Sequence, residues 1–404
     1  MQSLNDRYRQ TGTRFRLFAQ SPVLSAFKEP ETVWVSSRAG SLGPGPSDQR
    51  MVTRDPIDKK PYEGEMLPPW RGRIRPPVLP GPGGHFDHLA PDDRGFMAAH
   101  MFGSVRRVLD IWEGYLGGPI AWPFALSHPR LELIPHVPWN NAHFGWGFME
   151  AGEGKDDQGI ERPFALNFDV LAHEAGHGIV FSVVGMPPKD TTTTAFRGFH
   201  ESASDMTAMI STLHFDSILE HVLETTEGNL FLANEANRIG ELSETRQIRS
   251  ACNPVTMSDV VPLSTPVDEV TGKQVHKLGQ PMSGAIFDIL IEVFEEQLER
   301  YKLIPDTYAA EVRSAVEEGR AEEMDAGTMT EAYRANPAGF RQALAEARDI
   351  VGQRIAHSWH LMSPHNFTYS HAAKCFLAAD RALSGARHQD LIRASFKWRE
   401  IDTD

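Results

Sequence analysis

Asp169-Val-Leu-Ala-His173-Glu174-Ala-Gly-His177 is the stretch on which the reading of this chain turns. Histidines four residues apart lie on one face of an α-helix, one turn above the other. The imidazoles of His173 and His177 can therefore reach one metal ion. Glu174 follows the first histidine and projects beside the metal, placed to take a proton from a water held there. Val170, Leu171, Ala172, Ile179, Val180, Phe181, Val183 and Val184 supply apolar cover, and Gly185 with Pro187 and Pro188 is a stop. The pattern predicts a helix from Asp169 to Val184.

A short motif of this kind also arises in a buried amphipathic helix with two incidental histidines. The next segment separates the two readings. His200-Glu201-Ser-Ala-Ser-Asp205 opens a run that reads as helical through Ile210 and Leu213. Catalytic zinc usually takes three protein ligands and leaves a further position open. Glu201 is the candidate third ligand. Asp205, one turn on, is placed to accept a hydrogen bond from a ligating histidine and fix its tautomer. His200 is the rival ligand, but Glu201 with Asp205 makes the fuller set. A third histidine six residues after His177 is ruled out, because position 183 is valine. These residues point to a zinc peptidase acting on a peptide or protein substrate.

Composition narrows the setting. The chain has 404 residues, enough for a large core and two or three structural units. Its 41% hydrophobic and 23% charged content is that of a soluble globular protein. A formal charge of −14 and the lack of any basic run disfavour nucleic acid and anionic membrane surfaces as partners. No apolar stretch is long enough to span a bilayer. Cys252 and Cys375 make no disulfide framework and read as ordinary buried thiols. The opening Met1-Gln-Ser-Leu-Asn-Asp-Arg7 lacks a secretory pattern. That points to a cytoplasmic protein, or to export by a route needing no such signal.

Working outward from the motif, residues 1–85 read as an extension of low regularity. Gly43–Pro46 and Pro76–Gly84 carry turn and extended chemistry. Thr32–Ser36 and Arg71–Arg75 read as short strands between them. The extension either wraps the catalytic unit or is the remnant of a pro-segment; the first is favoured, since nothing in it resembles a cleavage site. Asp93–Leu116 predicts a helix, with Met97, Met101, Val105, Val108 and Trp112 at helical spacing and Gly117-Gly118 as its end. Residues 124–166 read as strands, including Leu131–Ile134 and Ala142–Met149, with a polar turn at Gly152–Gly159. Met186–Phe199 reads as a loop, and its threonine run, Thr191–Thr194, is either a solvated loop or a rim of the substrate site. The rest is largely helical: a helix after Pro281, then Asp306–Gly319, Pro337–Ile355, Phe367–Leu383 and Gln389–Trp398. Glu317, Glu318, Glu322 and Glu323 read as a solvated face, with calcium ligation as the second reading.

The order of motifs resembles the thermolysin-like metallopeptidases (gluzincins), with some features closer to their fungalysin relatives. The resemblance runs from about residue 86 to the end of the chain. It rests on Asn140-Asn141-Ala142, on Asp169 to His177, and on Glu201-x-x-x-Asp205. It rests also on Ile239-Gly240-Glu241 followed by Ile248-Arg249-Ser250 and Asn253-Pro254, and on Val275-His276 followed by Ser283-Gly284. It implies an α+β fold of two lobes: a β-rich N-terminal lobe, residues 86–185, carrying the edge strand and zinc helix, and a mainly helical C-terminal lobe, residues 186–404. The zinc site would lie in the cleft between them.

The resemblance further implies roles for single residues. Asn141 and Ala142 would pair with the substrate backbone along an exposed strand edge. Arg249 would help hold the substrate carbonyl, and His276 would stabilise the oxyanion. Zn2+ would be held by His173, His177 and Glu201. For Ca2+, only Asp169 and Glu241 match the family's ligands. Position 200 is histidine where the family often has asparagine, and the aspartate usual shortly before the oxyanion histidine is out of register. Ser182–Phe199 also lacks the tyrosine that serves the family as a second oxyanion donor. Losing one such donor costs about two to three orders of magnitude in rate. That departure keeps two alternatives beside a general endopeptidase: a dedicated processing peptidase for one protein or precursor, and a silent zinc protein that binds peptides. The intact Glu174 argues against the silent form, since a binding module needs no base beside the metal.

Overall fold

A computed structural model of the chain describes residues 3–404 apart from 65, 157, 233, 244–245, 309–310, 312–313 and 315–325. The fold is α+β and divides into two compact units. The first comprises Met1–Met186, Ala203–Thr212 and Ile239–Arg249; the second comprises Pro187–Ser202, Leu213–Arg238 and Ser250–Asp404.

The first unit opens with a short helix α1 (Leu4–Tyr8) and an antiparallel pair, β1 (Gly12–Leu17) and β2 (Glu31–Arg38). Their inward residues Phe15, Leu17, Val33 and Val35 are fully buried. They pack on the long helix α2 (Arg94–Leu116), where Phe15 stacks on Phe102 with ring centroids 6.0 Å apart. Gly103 permits that approach, since a Cβ there would sit 2.9 Å from the Phe15 ring. The helix runs as its periodicity predicts, from N-cap Asp93 to Gly117 in the left-handed region. Met101, Val105, Val108 and Trp112 are all buried on it.

A four-stranded sheet follows, in the order β3 (Met51–Thr53), β4 (Leu131–Ile134), β6 (Phe148–Ala151), β5 (Ala142–Gly145). The run Ala142–Met149 thus folds back on itself as an antiparallel hairpin about Trp146-Gly147, with Gly147 at φ +89°. Arg71–Arg75, read as a strand, contributes an isolated bridge between Pro56 and Ile74. Lys59 is fully buried and pairs with the buried Glu150 of β6, while the Tyr62 hydroxyl donates to Glu132 of β4 at 2.7 Å. These contacts tie residues 59–62 to the two middle strands. The polar stretch after Gly152 forms a second hairpin, β7 (Glu153–Lys155) and β8 (Glu161–Pro163).

The motif helix α3 spans Phe168–Val183 and is capped by the Asn167 side chain. Its predicted stop is in place: Gly185 takes φ +101°. Before it, the core histidine His100 of α2 bonds the Ala165 carbonyl at 2.8 Å and accepts the Phe18 amide at 3.0 Å. Burial holds its pKa down at about 4, so it is a neutral structural group.

Helix α4 (Thr194–Thr212) begins earlier than the sequence suggests, within the stretch read as loop. Thr193 caps it, its hydroxyl accepting the Phe196 amide at 3.0 Å and donating to the Phe367 carbonyl at 2.8 Å. The threonine run is therefore a helix start whose hydroxyls reach backbone carbonyls, that of Thr191 also lying 3.1 Å from His365 Nδ1. The second unit also holds α5 (Asp216–Thr226), α6 (Gly272–Arg300), α7 (Ala326–Ala335), α8 (Pro337–Leu361), α9 (Tyr369–Ser384) and α10 (Gln389–Trp398). Leu290, Phe294, Leu344, Val351, Ile355 and Phe396 are buried in its core. Helix α6 starts well before Pro281, with a reciprocal Thr271–Gln274 capping box, and runs through the proline. His276, the fifth residue of this helix, therefore lies within it, ahead of the expected start. The helix expected over Asp306–Gly319 and the acidic face from Glu317 to Glu323 fall largely or wholly outside the described residues. Both cysteines are free; Cys375 is buried and Cys252 half-buried, less enclosed than expected.

Candidate active site

Helices α3 and α4 come close because α3 carries glycine where they meet. A Cβ at Gly176 would stand 2.8 Å from the Ser204 Cα and 3.0 Å from the Thr207 side chain. At that separation the next residues along each helix face one another. Ser204 Oγ lies 2.9 Å from His177 Nδ1. Asp205 Oδ1 lies 2.9 Å from His173 Nδ1. Each imidazole thus has a polar group beside its Nδ1. The two rings stand at 87° to one another with centroids 4.8 Å apart.

Glu201 is one turn before Asp205 on α4, and its carboxylate completes a set with the two histidines. Ligand atoms of His173, His177 and Glu201 all lie within 4.8 Å of one another. Among the described residues this is the one group of three or more histidine, cysteine or acidic side chains with metal-binding geometry. Two imidazoles and one carboxylate are a donor set that suits zinc. His173 and Glu174 are buried, while His177 and Glu201 are partly open, so the set is reachable from solvent. His200, the rival ligand, is outside this group; its ring stacks on Phe196 at 6.0 Å.

Arg249 arrives on a hairpin, β9 (Arg238–Ser243) with β10 (Arg246–Ser250). The hairpin is moored to α3 by Asp169, whose Oδ2 accepts the Gly240 amide at 2.7 Å. Gly240 adopts φ +69°, a conformation glycine takes without strain. Arg249 Nε stands 3.0 Å from Asp205 Oδ1, and Nη2 lies 3.1 Å from both nitrogens of the His173 ring. The guanidinium therefore lies close to the His173 ring. Asp169 belongs to no metal-ligand group among the described residues, and the Glu241 side chain is not among those described. The calcium expectation thus gains no ligand set here.

His276 brings Nδ1 to 2.8 Å from Glu201 Oε2. Its neighbour Gly279 packs α6 on α4, where a Cβ would sit 3.1 Å from the Ser202 amide. Half of the His276 side chain is exposed. Ala142 begins β5, the strand at one edge of the sheet, and Asn141 precedes it, accepting the Gly152 amide at 2.8 Å. The edge strand presses on the motif helix through Phe144, since a Cβ at Gly178 would meet its ring at 2.6 Å.

Sequence reasoning missed Ser204. Its signal was helical spacing: three residues after Glu201 and one before Asp205, it shares the face that turns to the motif helix.

No described helix is long and apolar enough to cross a membrane. No family model matches the chain, and no curated protein matches it. Among solved structures, the chain is similar to one titled "Precursor of Protealysin, Metalloproteinase from Serratia proteamaculans". The TM-score is 0.50 at 12% identity, over 88% of this chain and 89% of that one. At that identity the likeness is one of fold: this chain has the α+β fold of a metalloproteinase precursor.

Proposed function

We propose that the chain is a zinc-dependent peptidase of the thermolysin-like kind, an endopeptidase that hydrolyses peptide bonds with Glu174 as general base. One observation carries the reading: the ligand atoms of His173, His177 and Glu201 gather within 4.8 Å, and Glu174 adjoins His173 on the same helix. Zinc bound by such a set supplies a Lewis acid and brings the acidity of a held water toward neutral pH. Glu174 takes the proton that the attacking water gives up and passes it to the leaving amine. Asp205 and Ser204 fix the ligand imidazoles. Arg249 and His276 contribute donors that steady the developing oxyanion. The outer edge of β5 from Ala142, with Asn141 before it, offers main-chain groups to an extended peptide.

The lack of a tyrosine between Ser182 and Phe199 favours a narrow substrate over a broad one, within the same chemistry. The test is cleavage of a diverse peptide mixture by protein of known zinc content, beside Glu174→Gln and a chelator-treated sample. Many cuts, lost in both controls, support the endopeptidase. A zinc-loaded protein that cuts nothing removes the general reading, and full activity in Glu174→Gln removes the base.

A further inference from the structure

The first unit contains a cavity of about 210 Å³ that shares no residue with the candidate active site. Its wall is built from four pieces of chain: Gly45; the end of β3 with Thr53, Arg54 and Asp55; the segment 74–78; and the start of α2 with Arg94, Gly95 and Ala98.

Three features of the wall converge on a negatively charged ligand. First, three guanidiniums face two carboxylates. Arg75 Nη1 lies 3.1 Å from Asp55 Oδ1, and Arg94 holds the same carboxylate through Nε at 2.7 Å and Nη2 at 3.0 Å. Arg54 Nε pairs with Glu132 Oε1 at 2.7 Å. Arg75 Nη2 and Arg94 Nη1 have no partner among the described residues. Second, α2 is a 23-residue helix whose N-terminus forms part of the wall. The Phe96 amide bonds the Asp93 carbonyl at 2.8 Å, and the amides of Arg94 and Gly95 before it lie at the positive end of the helix dipole. The Asp93 side chain does not cap them; it turns back to the Ala90 amide at 3.0 Å. Third, Thr53 is 4% exposed, and its hydroxyl has no hydrogen-bond partner among the described residues. A buried hydroxyl without a partner is costly and uncommon.

The rest of the lining is apolar: Ile74, Pro76, Pro77, Val78 and Ala98. Inorganic anions gain nothing from such a wall. The volume is below the roughly 300 Å³ at which pockets begin to take drug-sized ligands, and suits about one residue.

We infer that this cavity binds a single apolar residue by its carboxylate, the apolar body lying against residues 74–78 and the carboxylate meeting Arg75, Arg94 and the Thr53 hydroxyl. Two sources share that chemistry: a free amino-acid-like acid, and the C-terminal residue of a peptide.

The test is calorimetric titration of the full chain with N-acetyl-L-leucine, its carboxamide and inorganic phosphate. A hexapeptide ending in leucine, as free acid and as amide, is titrated into the Glu174→Gln protein so that it stays intact. The expected result is saturable binding of the acids, with the amides at least about tenfold weaker, as loss of a charge-assisted hydrogen bond predicts. Tighter binding of the peptide acid than of N-acetyl-leucine assigns the site to peptide C-termini; the reverse assigns it to free acids. Thr53→Val, which keeps the shape, and Arg75→Gln, on a partly exposed side chain, should each weaken the acid at least about fivefold. Equal binding of acid and amide, binding of phosphate alone, no binding, or unchanged affinity in a folded Arg75→Gln protein would overturn the assignment.

Discussion

Asp205 Oδ1 stands 2.9 Å from Nδ1 of His173, and Arg249 Nε stands 3.0 Å from the same oxygen. One buried carboxylate thus stands close to both the His173 imidazole and the Arg249 guanidinium. Asp205→Asn keeps the volume but removes the charge that both partners face. Zinc affinity, measured by chelator competition, should fall about 10- to 100-fold. Ser204→Ala, which removes only a neutral partner of His177, should cost less. If Asp205→Asn bound zinc as tightly as the parent, Asp205 would have no part in holding His173.

Gly176 sets the distance between the two ligand-bearing helices. Gly176→Ala places a methyl group 2.8 Å from backbone at Ser204, where no side-chain rotation relieves it. The helices must part, at a cost of about 1–3 kcal/mol. Urea unfolding should report that loss. Zinc affinity should fall with it, because Glu201 rides on the helix that moves.

How much of this was legible in the sequence follows from which forces are local. The motif helix and α2 were readable to within a residue or so, because their apolar spacing and terminal glycines act over a few positions. The donor triad was readable because two helical spacings, His173 to His177 and Glu201 to Asp205, carry it. The early starts of α4 and α6 were not foreseen. At α6 the Pro281 stop signal was weighed above the Thr271–Gln274 box, although a proline removes only one hydrogen bond from a helix already anchored on both sides. At α4 the threonines counted against helix, although threonine ahead of a first turn is a start signal. The approach of Arg249 to His173 depends on a hairpin held by Asp169 and Gly240, residues about seventy positions apart, which no local pattern encodes.

Stability in acid should depend on Asp380 in the second unit. Burial opposes its charge, but the Ser384 hydroxyl, the Arg354 guanidinium and the Gln389 amide outweigh that and hold its pKa at about 2. A carboxylate whose folded pKa lies below its unfolded value stabilises the fold above the unfolded pKa. That stability is lost as pH falls toward the folded pKa. The window here is about pH 4 down to about pH 2, and the contribution is roughly 2 kcal/mol. Asp380→Asn should be less stable than the parent at pH 5, and the gap should narrow across that window. Denaturant titrations at stepped pH would show it; a constant gap would mean that Asp380 has an ordinary pKa.

His276 separates two roles that its position permits. Its Nδ1 lies 2.8 Å from Glu201 Oε2 and its side chain is half-exposed, so under the proposed function it can orient the Glu201 carboxylate or meet a substrate oxyanion. An oxyanion donor acts only in the transition state, so its loss lowers kcat and kcat/KM together and leaves metal affinity nearly intact. A residue that holds Glu201 acts through the metal, so its loss weakens zinc by about the amount that activity falls at limiting zinc. For His276→Ala at saturating zinc, the expected outcome is a drop in kcat of about 100-fold with zinc affinity changed only a few-fold. Full recovery of kcat by added zinc would assign His276 to positioning Glu201 and leave the oxyanion to Arg249.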